Sequence, residues 1–184
     1  LLNKNLSKKK KYNHLLRIAI NKKNISISLR KRITPSLNFN LKLVKLKRKK
    51  PEFKNLKYKE ILKHLSKLDN SKTDIGLCSN KKIFETGTSN LLFVKKNKIY
   101  SPVNKFYNGI TLKFLKAKIK RIIKKDISID SLKIYDEIIL IGSGKGVASV
   151  KTINQIKWKR KSLKFYKILT KHYQSAINKC SNYK

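Results

Sequence analysis

Apolar and polar residues alternate between Arg17 and Lys31: Ile18 and Ile20 come first, then Asn21-Lys22-Lys23-Asn24, then Ile25, Ile27 and Leu29. A period of two sets one apolar row on one side of each strand, and the polar tetrapeptide supplies the turn, so the segment predicts a β-hairpin. A further strand is expected through Leu41, Leu43, Val44 and Leu46, ending at the basic run Lys47 to Lys50 and at Pro51. After Pro51 the spacing changes. Tyr58, Ile61, Leu62, Leu65 and Leu68 recur at helical intervals, with Asp69-Asn70-Ser71 as the stop. Short apolar runs at Ile75 to Cys78, Ile83-Phe84, Leu91 to Val94 and Ile99-Tyr100, the last two joined by Lys96-Asn97, predict a meander of strands.

Thr111 is placed to cap a helix carrying Leu112, Leu115, Ile119, Ile122 and Ile123. Ile138 to Ile141 is a compact apolar run of the kind found in a strand buried on both faces, and Gly142, Gly144 and Gly146 break it before Val147 to Ile153 resumes. The segment from Ser162 to Asn178, with Tyr166, Leu169, Tyr173 and Ile177 at helical spacing, predicts a terminal docking helix. Residues 1–13, rich in Lys and Asn, are expected to be a frayed or linker segment, and there is no internal repeat.

Composition sharpens this picture without changing its class. The chain has 184 residues, enough for one domain with a core and part of another. Hydrophobic residues at 40% balance charged residues at 31%, so a globular fold is expected. A net charge of +39 suggests a polyanionic partner. The excess is nearly all Lys, it runs along the whole chain, and it accompanies abundant Asn and Ile, which share A/T-rich codons; Arg, the residue that grips phosphates and bases bidentately, is scarce. Nucleic acid is therefore the weaker reading. Cys78 and Cys180 have no ligand or disulfide-framework spacing, so neither a zinc site nor an oxidising compartment is indicated. No apolar stretch approaches a membrane span and Leu1-Leu2-Asn3-Lys4 lacks a signal-peptide core, so a cytoplasmic protein is expected. Met is absent even at position 1, from which sequence upstream is expected.

Four segments carry candidate chemistry: Lys54-Asn55-Leu56-Lys57-Tyr58, Phe84 to Asn90, Asn108-Gly109-Ile110-Thr111, and Gly142 to Val150. Each has a plain explanation alone. Lys54 is one lysine of many, Glu85 could precede a surface turn, Gly109 to Thr111 could merely open a helix, and the glycines after Leu140 could make a tight strand-to-strand turn. The last segment has neither the Walker A spacing nor a following helix for a dinucleotide fingerprint.

In their order and context the four resemble the class IV aminotransferase family, which includes branched-chain and D-amino acid aminotransferases and aminodeoxychorismate lyases, from about Arg17 to the C-terminus. That resemblance implies an α/β (α+β) fold, a mixed sheet or pseudo-barrel with flanking helices, binding pyridoxal 5'-phosphate. It makes Lys54 the lysine that carries the cofactor, with Lys57, which stands where the family has Asn, as the alternative. Tyr58 becomes a candidate for orienting the cofactor's phenolate oxygen, a plain core tyrosine being the other reading. The resemblance likewise implies that Glu85 pairs with the pyridine nitrogen. Gly109, Ile110 and Thr111 match a Gly-Ile-Thr-Arg helix start that binds phosphate, with Leu112 in place of the Arg. Gly142, Ser143 and Gly144 match a second phosphate turn, Ser143 standing for a Thr and Ser149 for a following Pro.

The resemblance further implies that residues 1–50 are the end of a smaller N-terminal domain, on the order of 100 residues in the family, and its linker, that 51–184 are the cofactor-binding domain, and that the rest of the smaller domain lies upstream. It implies an amino-acid-like small-molecule substrate and a homodimer for the full-length protein. Between the family's reactions, the Lys54/Tyr58 spacing, typical of the lyase and D-amino acid branches, and the lack of a branched-chain style Gly-Thr-Ala turn favour aminodeoxychorismate lyase, which releases pyruvate and 4-aminobenzoate, over branched-chain transamination, with D-amino acid or branched-chain transamination as the alternative.

Overall fold

A computed structural model describes residues 14–119 and 121–179 of the chain. The expected linker at residues 1–13 and Cys180 lie outside the described residues. The chain divides into two compact units, Leu1–Ile33 and Thr34–Lys184.

In the first unit β1 (His14–Ile20) and β2 (Ile25–Lys31) form the expected antiparallel hairpin. Asn21 Oδ1 accepts the backbone N–H groups of Lys23 and Asn24, which closes the turn. The register pairs Leu16 with Leu29, Ile18 with Ile27 and Ile20 with Ile25, giving one apolar row per strand, and all six side chains are exposed.

The second unit is built on a nine-stranded mixed sheet. Its strands are β3 (Phe39–Lys45), β4 (Thr73–Ser79), β5 (Lys82–Thr86), β6 (Asn90–Lys95), β7 (Lys98–Ser101), β8 (Ile122–Lys124), β9 (Glu137–Gly142), β10 (Gly146–Ile153) and the short β11 (Trp158–Lys159). The spatial order is β5-β4-β3-β10-β9-β6-β7-β8, with β11 paired to β10. β3 is parallel to both β4 and β10, and β7 to β8; the other pairs are antiparallel. The sheet curls so far that Lys82 on its first strand bridges Ser128, just past its last, and Ile83 N–H donates to Ile127 O at 3.0 Å. The result is a half-barrel.

Alternation along the central strands sorts two cores. Leu91, Phe93, Ile138, Leu140, Ala148 and Val150 point inside the curl with Phe39, Leu41, Tyr135 and Trp158. Leu92, Val94, Ile139, Ile141 and Val147 point outward, beneath helices α2 (Ile110–Lys118) and α3 (Lys164–Lys179), and meet Leu112, Leu115 and Leu169. A strand covered on both sides needs apolar residues at every position, which accounts for the Ile138 to Ile141 run. Helix α1 (Lys59–Leu65) lays Ile61 and Leu65 on Ile75 and Leu77 of β4. Glu137, fully buried, fixes the start of α3: its carboxylate accepts the Ser162 hydroxyl and the N–H groups of Phe165 and Tyr166 at 2.9–3.0 Å. A carboxylate there satisfies helix donors that lack intrahelical partners and complements the helix dipole.

Three expectations shift. The compact units divide after Ile33, and the expected boundary at 50 falls within the second unit, because β3 is hydrogen-bonded into the middle of the large sheet. The α2 N-cap is Gly109 and Thr111 lies within the helix. Ile122 and Ile123 belong to β8, since the backbone turns extended at Ile119 and β-branched isoleucines suit an edge pairing with Ile99 and Tyr100 as well as a helix.

Candidate functional site

The geometry centres on Gly87-Thr88-Ser89, the loop joining β5 to β6. Thr86 closes it: its N–H donates to Ser89 O at 2.8 Å, and its hydroxyl oxygen accepts the N–H groups of Ser89 at 2.8 Å and Thr88 at 3.2 Å. Two buried carboxylates flank this loop. On one side Asp74 of β4, wholly buried, accepts the hydroxyls of Thr86 at 2.9 Å and Thr88 at 2.6 Å, and the Lys145 ammonium at 3.1 Å. On the other side Glu85 Oε1 accepts Arg48 Nε–H at 2.8 Å and Oε2 accepts Tyr107 N–H at 3.3 Å. The same guanidinium donates from Nη2 to Gly87 O at 3.3 Å.

Burial pushes the Glu85 carboxyl above the usual carboxylate range, and the charge and hydrogen bond of Arg48, with the Tyr107 N–H, pull it partly back. The negative charge of Glu52 adds to the upward push, so the Pro51–Phe53 stretch acts electrostatically on Glu85.

Asn90 then ties this cluster to a helix start. Its amide donates to Tyr107 O at 2.6 Å and its carbonyl accepts Gly109 N–H at 3.2 Å, fixing both ends of the Tyr107–Gly109 segment that opens α2. A Cβ on Gly109 would stand 2.9 Å from Asn90 Oδ1, so the position is closed to any larger residue without displacement. Ile110 is exposed at this helix start and Thr111 is buried. The Gly142 to Gly146 segment is a hairpin turn between β9 and β10, with Gly142 paired to Gly146 and Ser143-Gly144-Lys145 at the tip. Gly146 adopts φ +71°, a left-handed conformation that glycine reaches without strain. A Cβ on Gly142 would approach Ser89 Oγ to 2.9 Å. The helix start and the glycine turn therefore pack onto adjacent residues, Asn90 and Ser89.

Glu85, Gly109 and Gly142 are thus drawn to the two ends of one loop. Lys54 and Lys57 are exposed, and Tyr58 is half-buried against the Ile61, Leu65, Ile75 and Leu77 cluster beside α1. Their loop is held by Asn55, whose amide donates to the carbonyls of Lys49, Lys50 and Phe53 and whose carbonyl accepts Lys57 N–H at 2.8 Å. Lys54 stands six residues after Arg48, the residue bound to Glu85. Two clefts of about 350 and 290 Å³ lie elsewhere, at the β7–β8 edge, and neither is lined by these residues.

The amino-transferase class IV family matches residues 1–153. This chain belongs to that family. Its fold is shared by solved class IV structures of low sequence identity. A putative 4-amino-4-deoxychorismate lyase from Legionella pneumophila has a TM-score of 0.69 at 16% identity, over 82% of this chain and 60% of that one. A branched-chain aminotransferase from Thermoproteus uzoniensis has 0.70 at 13%, over 88% and 60%. An aminotransferase from Brucella abortus, bound to PLP, has 0.64 at 18%, over 84% and 59%. The chain spans about 60% of the length of these structures. No curated protein sequence matches it.

For a class IV aminotransferase chain, reading the sequence leaves out four residues of this cluster. Arg48 sits within a basic run; the signal was that it is one of only six arginines in the chain. Asp74 is one of nine acids, set into the otherwise apolar start of β4. Thr88 and Lys145 lie within the quoted motifs, and only the fold brings them to Asp74. Among the described residues no His, Cys, Asp and Glu cluster could hold a metal, and no helix is long and apolar enough to cross a membrane.

Proposed function

We propose that this chain is the cofactor-binding part of a pyridoxal-phosphate enzyme, with residues 51–184 as the principal cofactor-binding segment and 4-amino-4-deoxychorismate lyase as the preferred activity of the whole protein. The observation that carries the reading is Glu85: a buried carboxylate, paired with Arg48 and connected through Tyr107 and Asn90 to a glycine-opened helix start. The residues fit the cofactor. Glu85 is the donor type required beside a pyridine nitrogen, the first N–H groups of α2 suit a phosphate dianion, and Gly109 and Gly142 are positions where a side chain would collide with the neighbouring loop. Ile110 and Thr111, with Ser143 and its flanking Gly142 and Gly144, would hold the phosphate, and Lys54 would carry the ring. Pyridoxal phosphate, when bound, supplies the electron sink that stabilises negative charge at a substrate α-carbon.

The chain's own residues divide the remaining work. Glu85, when ionised, favours a protonated ring, and Arg48 opposes the upward push of burial on its carboxyl. Lys54 Nζ moves the proton at the substrate α-carbon, taking and returning it as general base and acid. Tyr58 stands four residues on, where it would orient the ring oxygen. The Lys54/Tyr58 spacing and Gly142-Ser143-Gly144 in place of a Gly-Thr-Ala turn favour the lyase over branched-chain transamination. A D-amino acid or branched-chain transaminase is the second reading, supported by the branched-chain aminotransferase structures of equal likeness. A homodimer acting on an amino-acid-like small molecule belongs to either.

The test is covalent labelling. After incubation with pyridoxal phosphate and reduction with borohydride, peptide mapping is expected to find the label on Lys54, and Lys54→Ala to abolish it. Label on neither Lys54 nor Lys57 defeats the assignment. With the full-length protein, release of 4-aminobenzoate selects the lyase and formation of a keto acid from an added amino acid selects the transaminase.

A further inference from the structure

We propose that Lys145 is a positioning residue: its bridge to Asp74 and Thr88 anchors the Ser143-Gly144 turn to the Thr86–Ser89 loop and so sets the grip on the cofactor phosphate. The inference rests on the cofactor reading above and adds a residue to it. The Lys145 side chain is 7% exposed, and its ammonium reaches Asp74 Oδ2 at 3.1 Å and Thr88 Oγ at 2.9 Å, its nitrogen 5.5 Å from the centre of the Phe39 ring. Asp74 is completely buried and, among the described residues, has no other cation; its remaining partners there are the two threonine hydroxyls and Ile75 N–H.

A buried ion pair is a poor way to gain stability, because desolvating both charges offsets most of their attraction and a well-packed apolar pair does as well. What the pair adds is direction. The turn that Lys145 closes has glycine at 142, 144 and 146, so its backbone has unusual freedom and only two side chains, Ser143 and Lys145, with which to be fixed. Lys145 is the one of these that spans to another element. Through Thr88, whose hydroxyl lies 3.3 Å from Ser89 Oγ, the anchor also reaches the residue on which Gly142 packs. Ser143 is left at the tip between two points that cannot move independently.

The experiment compares pyridoxal phosphate with pyridoxal, which lacks the phosphate, as ligands of the 184-residue chain. Lys145→Met strands the Asp74 charge and risks unfolding, so the decisive variant is Asp74→Asn/Lys145→Met, which removes both charges. It is expected to weaken pyridoxal phosphate about tenfold, the scale of one lost charge-assisted hydrogen bond, and to change pyridoxal less than about twofold by the same measure. Lys145→Arg is expected to restore binding to near wild type. Equal losses for the two ligands overturn the proposal, since a general structural role would not distinguish them. Tighter phosphate binding in Asp74→Asn also overturns it, because then Lys145 grips the phosphate itself once released. Backbone order parameters at Ser143 and Gly144, measured without ligand, keep the two readings apart. If wild type binds no pyridoxal phosphate but the double variant loosens the turn, the cofactor reading fails and the anchor stands; an equally rigid turn in the double variant refutes the anchor.

Discussion

Replacing Arg48 by Met isolates the contact on which the candidate site turns. Arg48 and Glu85 have side-chain exposures of 15% and 4% and meet at 2.8 Å, so the pair lies outside the regime in which exposed ion pairs contribute about 0–1 kcal/mol. With the charge centres near 4 Å and an effective dielectric of about 20, the attraction is about 4 kcal/mol. Breaking a buried pair by removing one partner costs about 3–5 kcal/mol. Discounting for the residual exposure of Arg48, we expect Arg48→Met to lose about 3 kcal/mol at pH 7. The sign of the pH dependence follows from Glu85, whose carboxyl titrates above its unfolded value. As pH rises past the ordinary carboxylate range the unfolded chain releases this proton first, so Glu85 contributes stability at low pH that is lost as pH climbs through its folded value. Without Arg48 that loss deepens and extends to higher pH; at pH 4 and below, with Glu85 protonated in both proteins, the two should converge. Urea unfolding of wild type, Arg48→Met, Glu85→Gln and the double variant between pH 4 and 8 measures this directly. The double variant should fall within about 1.5 kcal/mol of wild type, because no charge is stranded. A loss below about 1 kcal/mol at pH 7, or one that does not change with pH, would mean that Glu85 is not a buried anion held by Arg48.

Gly146→Ala should destabilise by about 1–5 kcal/mol: about 1–2 for a left-handed alanine plus about 1–3 for crowding, less about 0.4–1 from a stiffer unfolded chain. The crowding arises because the new Cβ would lie 2.7 Å from Tyr173 Cε1, so in a Tyr173→Ala background only the backbone strain should remain; a double-mutant cycle showing no coupling would refute it. The Cys78 thiol is pushed up to about 12 by burial, so alkylation at pH 8, mapped by peptide mass, should modify Cys78 only at the rate of unfolding, and rapid native labelling would contradict its placement.

Local periodicity made the strands and helices legible, while long-range pairing stayed hidden. The hairpin at Asn21-Lys22-Lys23-Asn24 and the doubly covered strand Ile138 to Ile141 could be read because a turn signal or an unbroken apolar run leaves one economical burial pattern. Ile119, Ile122 and Ile123 could not be separated into helix and strand, since a 3.6-residue period and a short β-branched run look alike over five residues. The boundary at residue 50 followed from the family resemblance, whereas β3 owes its place to hydrogen bonds with β4 and β10, the latter about a hundred residues away in sequence. The same separation hid Asp74 from Lys145 and Arg48 from Glu85. Motif order suggested Glu85, Asn90, Gly109 and Gly142, and the fold adds that the glycines pack onto Ser89 and Asn90 themselves.

The distribution of acids argues for this loop independently of any motif. With nine carboxylates against 48 lysines and arginines, a surface position for every acid would relieve the most repulsion. Three are instead buried: Asp74, Glu85 and Glu137. Glu137 has a structural reason, since it caps α3 through three hydrogen bonds to the helix start. Asp74 and Glu85 cap no helix. Each holds a cation from a distant part of the chain, Lys145 from the β9–β10 turn and Arg48 from the segment after β3, and the two pairs grip opposite sides of Thr86–Ser89. A fold needing only a tight strand connection could make one with Thr86 and Gly87 alone, without desolvating two acids and two bases. The expense is explained if the loop must hold a fixed position against something that binds there, and a charged, planar, phosphate-bearing ring has the chemistry that both the Glu85 side and the glycine-turn side would meet.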